Sequence, residues 1–305
     1  MRGIDLCGEG VLVTGASSGI GREIALELGR RGARLALAAR SRDLLEKVAD
    51  TVARHGERPF VLPADLSDPA AATDLGLRAI GALGRVDVLV NNAGVGVGGS
   101  QLAVSDTEAA REVFQVNYWS PLALQRELVP AMIARDHGVV VNVTSLATVT
   151  PWPALGHYCS TKAALAAATE TLRLELTHTA VHVLEVIPGP VETAIQAESR
   201  LLPGFRAAMR RTPQGDPAVL GRLVADALER GRARVIYPRR LSPVYTLPGL
   251  MRAILPRVVA RHVSAENMSS GVEGPIVRAG SRGDADARKA RAEWETGTDG
   301  WLLES

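Results

Sequence analysis

The sequence predicts an α/β fold in which parallel strands are joined by crossover helices. Three observations lead to this prediction. Short apolar runs typical of buried strands alternate along the chain with segments of helical periodicity. A glycine-rich turn, residues 15–21, separates the first predicted strand from the first predicted helix. Polar or glycine-containing segments follow the later strands at their carboxyl ends, which is where ligands bind in open α/β sheets.

Length and composition limit the protein class. The 305 residues are 46% hydrophobic and 4% aromatic, which suits one large α/β domain or two small ones. The charge is balanced, with 35 basic and 33 acidic residues, so nucleic acid is not predicted as a partner. Cys7 and Cys159 are the two cysteines, and they predict a reducing compartment without disulfides. We found no signal segment in the first ten residues and no long apolar run, so a cytoplasmic location is expected.

The first strand, turn and helix have the features of a phosphate-binding site. Residues 11–14 form an apolar run, and residues 22–28 have helical periodicity. Glycines between them allow the backbone to approach a pyrophosphate, and the helix N-terminus offers free N–H donors. The spacing, G-x-x-x-G-x-G, differs from the common dinucleotide fingerprint. A tight strand-to-helix turn without a ligand is therefore the alternative.

The end of the second strand indicates which cofactor is preferred. Residues 35–39 predict a buried strand that ends at Arg40, 19 residues after Gly21. Sites specific for NAD place an acidic residue here for the ribose 2′-hydroxyl, whereas a basic residue suits a 2′-phosphate. We therefore predict NADP(H) as the cofactor. A solvated cation at the strand end is the alternative for Arg40.

The remaining elements follow in order. Helices are predicted over residues 43–54, 69–83, 106–135 and 216–230, and strands over residues 60–62, 86–90, 138–145, 181–187 and 234–238. These strands end at or run into Asp65 and Leu66, Asn91-Asn92-Ala93-Gly94, Ser145, and Pro188-Gly189. Asn117 lies inside the longest helix, where asparagine is a poor helix former.

Tyr158 and Lys162 form a candidate proton-transfer pair. They stand four residues apart at the start of a strongly helix-forming segment, so they share one helix face. A free phenol has a pKa of about 10, and a nearby cation favours the phenolate. The alternative is a partly buried tyrosine beside a solvated lysine. Of their neighbours, His157 is expected to be solvated rather than at the pocket edge, and Cys159 to pack in the interior.

These motifs, in this order and spacing, resemble the short-chain dehydrogenases/reductases from about residue 6 to residue 193. The motifs are Thr14-Gly15-x-x-x-Gly19-Ile20-Gly21, Asn91-Asn92-Ala93-Gly94, Asn117, Ser145, Tyr158-x-x-x-Lys162 and Pro188-Gly189. The resemblance implies a Rossmann-type, doubly wound parallel sheet of about seven strands with helices on both faces. It also implies an oxidoreductase that needs no metal.

The resemblance implies a role for each catalytic residue. Tyr158 would be the general acid/base, and Lys162 would hold the nicotinamide ribose and lower the pKa of Tyr158. Ser145 would orient the substrate oxygen, although a turn or N-cap hydroxyl is its alternative reading. Asn117 would hold a proton-relay water, and Asp65 would contact the adenine. The predicted cofactor-binding set is Gly15, Ser17, Ser18, Gly19, Ile20, Gly21, Arg40, Asp65, Leu66, Asn92, Ala93, Gly94, Tyr158, Lys162, Pro188, Gly189, Val191 and Thr193.

The segment after Pro188 is predicted to select the substrate. Residues 190–215 are expected to form a lid on a domain that spans residues 6–240. Apolar candidates for the substrate pocket are Leu146, Trp152, Leu155, Val191, Phe205 and Met209. Four lid arginines support the alternative of an anionic substrate: Arg200, Arg206, Arg210 and Arg211.

Two segments follow this domain. Residues 241–263 carry apolar side chains at helical spacing and predict a helical extension that packs on the core or on a partner subunit. Contact with lipid is the alternative. Residues 264–305 are polar, and both disorder and docking on a neighbouring chain remain open. A homo-oligomer is expected.

The predicted function is hydride transfer between NADP(H) and a carbonyl or secondary alcohol on an apolar, medium-to-large small-molecule substrate. Two alternatives are kept. One is a membrane-associated reductase of lipid or acyl-chain ketones. The other is a non-catalytic NADP(H)-binding sensor or scaffold, against which the intact set of catalytic side chains argues.

Overall fold

The computed structural model describes residues 3–149, 152, 155–191, 214–250, 253–254 and 276–278. Most of the predicted lid lies outside these residues, together with most of the C-terminal extension and tail. The predicted site residues Thr193, Phe205 and Met209 and the four lid arginines are therefore outside the described part of the chain.

A seven-stranded parallel sheet forms the centre of the fold, with the strand order β3-β2-β1-β4-β6-β7-β8. This confirms the predicted Rossmann-type sheet. The strands are β1 (Gly10–Thr14), β2 (Arg34–Ala39), β3 (Phe60–Pro63), β4 (Val88–Asn91), β5 (Val95–Val97), β6 (Gly138–Val143), β7 (Val181–Pro188), β8 (Arg234–Tyr237) and β9 (Ile276–Arg278). β5 and β9 form a separate two-stranded antiparallel sheet.

The α-helices cover both faces of the large sheet. They are α1 (Gly19–Arg30), α2 (Arg42–Val52), α3 (Ala71–Leu83), α4 (Gln101–Val104), α5 (Glu108–Phe114), α6 (Ser120–Ala134), α7 (Gly156–Glu175), α8 (Pro217–Glu229) and α9 (Ser242–Thr246). Alternate residues of β1 point to opposite faces because strands have a period of two. Val11 and Val13 pack into one buried cluster with α1, α2 and α8, and Leu12 packs into another with α3 and α6. The sheet therefore has a core on each side.

The longest predicted helix is interrupted in its middle. Residues 106–135 were predicted as one helix, but the structure has α5, then a π-helical turn at Gln115–Trp119, then α6. π-Helical turns occur often at functional sites. Asn117 lies in this turn and is completely buried.

Among the α-helices and strands that the structure describes, three short ones were not predicted. α4 and β5 lie in the segment that was interpreted as a glycine-rich loop, and β9 lies in the predicted polar tail. Each spans only three or four residues, which is too short to show a periodic pattern. β9 also depends on a partner strand that is far away along the chain.

The predicted helical extension begins with a 3₁₀ turn at Arg239–Leu241 and α9. Leu247, Leu250 and Ile254 are 53%, 52% and 43% exposed. These three side chains are therefore not covered by the core, and the expectation that the extension packs on the core or on a partner subunit stays a prediction. Among the described helices, none is long and apolar enough to cross a membrane.

Candidate active site

The glycine-rich turn between β1 and α1 has room only for glycine at its key positions. Gly15 and Gly19 have positive φ angles, +65° and +55°, which side chains other than glycine rarely adopt. A Cβ atom on Gly21 would lie 2.3 Å from the Gly15 carbonyl oxygen and 2.3 Å from Asn92 Nδ2. The turn therefore packs closely against the segment that follows β4.

The N-terminus of α1 fits an anionic ligand. Ser18 precedes the helix in an extended conformation, and its hydroxyl makes no capping hydrogen bond. The first turn contains no acidic residue. The first N–H groups of the helix and the positive end of its dipole therefore face the turn without a side chain that satisfies them. A dinucleotide pyrophosphate suits this arrangement.

Thr14, which precedes the glycine-rich turn, is hydrogen-bonded to the segment after β4. Its hydroxyl accepts hydrogen bonds from the backbone N–H groups of Asn92 (3.0 Å) and Ala93 (3.1 Å) and donates one to the Val90 carbonyl (3.1 Å). The Asn92 amide donates to the carbonyls of Thr14 and Gly15. The sequence analysis placed Thr14 in a motif but assigned it no role. A hydroxyl at the last position of a buried strand is the sequence feature that could have indicated this role.

Arg40 directly follows the last residue of β2. The Ala38 carbonyl accepts a hydrogen bond from Ala16 in the glycine-rich turn, and the Ala39 carbonyl accepts one from Ala64. The end of β2 therefore lies between the turn and the segment that carries Asp65. Arg40 is exposed and makes no ion pair with any residue that the structure describes, whereas Arg42 lies 3.6 Å from Glu46.

Asp65 and Leu66 lie at the same edge of the sheet. The Asp65 carboxylate accepts hydrogen bonds from the backbone N–H (3.1 Å) and the hydroxyl (2.8 Å) of Ser67. Leu66 is buried, and its carbonyl accepts a hydrogen bond from Ser120 at the start of α6. These bonds fix the loop after β3. A contact between Asp65 and the adenine stays a prediction.

Ser145 and Tyr158 meet at the carboxyl end of β6. The Ser145 hydroxyl lies close enough to the Tyr158 phenol to lower its pKa. The Ser145 hydroxyl also accepts a hydrogen bond from the backbone N–H of Ala147 at 3.1 Å, which caps a 3₁₀ turn at Leu146–Thr148. Ser145 is therefore both a turn-capping hydroxyl, as its alternative reading stated, and a neighbour of the phenol.

The pKa of Tyr158 is raised to about 12, contrary to the prediction that it is lowered. Burial is the main cause, because the phenolate is less well solvated than the phenol. The nearby Ser145 hydroxyl lowers the pKa of Tyr158 and only partly offsets burial. Lys162 Nζ lies 5.9 Å from the centre of the Tyr158 ring. At neutral pH Tyr158 is therefore a neutral phenol that can donate a proton.

Lys162 is buried rather than solvated. Only 4% of the residue is exposed, and its Nζ donates a hydrogen bond to the Val143 carbonyl at 2.9 Å. Burial lowers its pKa to about 8. A Cβ atom on Gly94 would lie 3.5 Å from Nζ, so the Asn92–Gly94 segment passes directly beside the ammonium. This excludes the solvated lysine that was the alternative for the Tyr158–Lys162 pair.

We expect Lys162→Met to raise the free energy of unfolding at neutral pH by about 2 kcal/mol. The fall of the Lys162 pKa from 10.5 to about 8 corresponds to a cost of about 3 kcal/mol for holding the ammonium in the interior. Loss of the bond to Val143 removes about 1 kcal/mol of stabilisation. Because the pKa is lower in the folded state, the unfolded chain binds more protons above pH 8, and the cost disappears as the pH approaches 10.5.

Urea denaturation at about pH 7 and about pH 10 measures this difference. The advantage of the methionine variant should be large at the lower pH and small at the higher pH. Lys47→Met is the control, because Lys47 is exposed on α2 and its replacement should give no pH-dependent gain. A methionine variant that is less stable than the parent at neutral pH would contradict the proposed burial cost.

Asn117 holds three elements together. Its amide accepts a hydrogen bond from the Val95 N–H (2.8 Å) and donates to the Val95 carbonyl (2.9 Å). It also donates to the Thr161 hydroxyl on α7 at 3.0 Å, and that hydroxyl donates to the Tyr158 carbonyl. Asn117 therefore links β5 to the helix that carries Tyr158 and Lys162. The predicted role of holding a relay water stays a prediction, and the contribution of Thr161 was missed.

His157 and Cys159, which flank Tyr158, are both buried. The prediction that His157 is solvated is wrong. Its Nε2 lies 2.6 Å from the Ser105 carbonyl oxygen, so this nitrogen carries the proton and donates a hydrogen bond to the segment after α4. Cys159 packs in the interior as expected, and burial raises the pKa of its thiol.

Four of the predicted substrate-pocket residues lie in the described part of the chain. Leu146 and Leu155 are buried, and Trp152 is half-buried. Leu146 packs on Gly189, where an added Cβ would lie 2.9 Å from Leu146 Cδ1. Val191 belongs to the main core cluster, so its side chain is occupied by core packing.

A cluster of metal-ligating residue types lies at the opposite end of the sheet. Glu9, Asp87 and His137 place their ligand atoms within 4.8 Å of one another. Glu9 and His137 are 2.9 Å apart, and Asp87 accepts from the Gly10 N–H and pairs with Arg85. The cluster precedes β1, β4 and β6 in the chain, whereas Ser145 and the glycine-rich turn follow their strands. It therefore has no contact with the candidate active site.

Comparison with known proteins gives the family. The family model for short chain dehydrogenase matches residues 9–202. The chain belongs to the short-chain dehydrogenase/reductase family. The rat protein named "Dehydrogenase/reductase SDR family member 7B" is 31% identical over 262 residues, which are 82% of this chain and 79% of that relative.

Solved structures of this family share the fold. A short-chain dehydrogenase/reductase from Burkholderia phymatum in complex with NAD is 26% identical, with a TM-score of 0.73, and the match covers 82% of this chain and 96% of that one. A metagenomic short-chain oxidoreductase in complex with NADP is 30% identical, with a TM-score of 0.65, and the match covers 76% of this chain and 97% of that one. The protein is therefore an oxidoreductase that uses a nicotinamide dinucleotide and acts on CH–OH groups or the corresponding carbonyls.

Proposed function

We propose that the protein is an NADP(H)-dependent carbonyl reductase that acts on an apolar, medium-to-large ketone. One observation carries this proposal. The Ser145 and Tyr158 hydroxyls lie close together at the carboxyl end of β6, with the buried Lys162 ammonium beside them. A proton donor, a second hydroxyl and a cation therefore converge at the edge of the sheet where the glycine-rich turn is also found.

The residues of this site suit proton donation to a carbonyl oxygen. When bound, NADPH supplies the hydride that is added to the carbonyl carbon. Tyr158 donates its proton to the carbonyl oxygen, because a pKa of about 12 keeps it protonated at neutral pH. Ser145 donates a hydrogen bond to the same oxygen and orients it. Lys162 is held by the Val143 carbonyl beside Gly94, and it would hold the ribose next to the nicotinamide.

Arg40 supports the choice of NADP(H) over NAD(H). A guanidinium pairs with a phosphate through two parallel hydrogen bonds, whereas it gains little from a ribose hydroxyl. Arg40 is exposed beside the glycine-rich turn and is not engaged by an acidic residue within the described ranges. The position has no acidic residue that could accept a hydrogen bond from the ribose 2′-hydroxyl of NAD(H).

The surroundings of the hydroxyl pair support an apolar substrate. Leu146, Trp152 and Leu155 follow Ser145 in the chain, and neither arginine nor lysine occurs between Ser145 and Lys162. A carboxylate or phosphate on the substrate would therefore find no cationic partner on this segment. Burial of apolar surface is the interaction that remains for recognising the substrate beyond its oxygen.

A homologous series of methyl ketones tests this function through the oxidation of NADPH. Each added methylene that is buried contributes about 0.8 kcal/mol, so kcat/KM should rise about fourfold per carbon until the pocket is filled. Keto acids of matched length are the control and should be poorer substrates. A flat series, or a preference for the acids, would exclude the apolar pocket and favour the lid arginines as the substrate contact.

A further inference from the structure

The C-terminal segment returns to the candidate active site through β9. β9 pairs with β5 in antiparallel register, and the opposite residues are Val95 with Arg278, Gly96 with Val277, and Val97 with Ile276. β5 directly follows the Asn91–Gly94 motif, so a segment about 180 residues later in the chain lies against the segment that borders Lys162. The function proposed above assigns no role to this pairing.

Asn117 determines which pair in this small sheet is hydrogen-bonded. The N–H and the carbonyl of Val95 are both bonded to the Asn117 side chain, so they point away from β9. Successive residues of a strand direct these groups to opposite edges, and opposite pairs in an antiparallel ladder alternate. Gly96 and Val277 therefore form the hydrogen-bonded pair, which joins the two strands by two backbone bonds.

Gly96 is also the residue of β5 that lies beside Tyr158. A Cβ atom on Gly96 would be 3.8 Å from Cδ2 of the Tyr158 ring, which is ordinary van der Waals contact. β5 is thus held between Asn117 on one edge and β9 on the other, with its middle residue against the phenol. The bonds to β9 fix the outer edge of the backbone that borders the proton donor.

We propose that β9 is a substrate-selecting wall of the active site. This inference rests on the carbonyl reductase function proposed above. A ketone whose oxygen reaches the Tyr158 hydroxyl must place its carbon chain in the space around the phenol ring, and the β5–β9 sheet bounds one side of that space. A three-residue edge strand without a partner would present unpaired backbone groups there and would leave this side open to water.

Two pairs of variants separate this role from a general effect on the fold. A chain that ends at Gly274 lacks β9, whereas a chain that ends at Gly280 retains it. Val277→Pro removes the N–H that β9 donates to Gly96, and Val277→Ala keeps it. The first member of each pair should lower kcat/KM for the best ketone about tenfold. The chain that ends at Gly280 should match the full chain within twofold, Val277→Ala should lose less kcat/KM than Val277→Pro, and all four should bind NADPH with unchanged affinity.

Hydrogen exchange of the Gly96 N–H provides a readout that does not depend on turnover. Its exchange should accelerate at least about tenfold in the chain that ends at Gly274 and in Val277→Pro, and should be unchanged in the two controls. Equal kcat/KM in all forms would overturn the proposal. A loss of NADPH affinity together with a lower melting temperature would overturn it in favour of a general structural role. A full chain that reduces no ketone would instead refute the proposed function itself.

Discussion

Replacement of Tyr158 by phenylalanine is expected to reduce kcat for ketone reduction by about a thousandfold while the Kd for NADPH changes less than twofold. The substitution removes only the hydroxyl that donates the proton, and a positioned general acid contributes roughly 10²- to 10⁴-fold to a rate. The ring remains against Gly96, so the packing of β5 is retained. Single-turnover kinetics with NADPH and the best ketone measure the chemical step directly.

Two further variants show whether the loss of kcat in Tyr158→Phe arises from the missing proton donor. Ser145→Ala should lower kcat by less than Tyr158→Phe, because it removes one hydrogen bond to the carbonyl oxygen and leaves the donor in place. Lys162→Met should differ in kind, with weaker NADPH binding as well as slower turnover. If Tyr158→Phe retained more than a few per cent of the parent kcat, another group would have to supply the proton.

The overall fold could be predicted because the sequence patterns that indicate it are local. Each strand of the large sheet shows in the sequence as a short apolar run, and the intervening segments have helical periodicity. The site motifs lie at the ends of these elements, as Ser145 does after β6 and Gly15 after β1. Once parallel strands are assumed, their carboxyl ends must meet at one edge of the sheet.

The features that were missed depend on contacts between distant segments. The pairing of β5 with β9 and the bond from His157 to Ser105 each join residues that are far apart in the chain. The predicted direction of the shift in the Tyr158 pKa was wrong for a related reason. The spacing of Tyr158 and Lys162 shows that a cation is near, but not that the phenol is buried, and burial is the main cause of its raised pKa. Burial is a property of the packed structure.

Replacement of Arg40 by aspartate is expected to shift the ratio of kcat/KM with NADPH to kcat/KM with NADH by about a hundredfold toward NADH. Loss of a charge-assisted contact with the 2′-phosphate corresponds to about 2 kcal/mol, and each 1.4 kcal/mol is a factor of ten. The aspartate also repels the 2′-phosphate and accepts a hydrogen bond from the 2′-hydroxyl of NADH. Arg40 has no acidic partner among the described residues, so the substitution breaks no ion pair there.

Steady-state kinetics with both cofactors in the parent and in Arg40→Asp measure this ratio. Arg42→Asp is the matched control, since it makes the same charge change two residues away at an exposed side chain that lies 3.6 Å from Glu46. The control should alter the ratio less than threefold if the effect of Arg40→Asp on cofactor preference arises from a direct contact with the phosphate. A larger change would indicate the general electrostatic field of nearby charges. A parent enzyme that prefers NADH would refute the assignment of Arg40, and neither Arg42 nor Arg22, which are both paired with glutamates, could take its place.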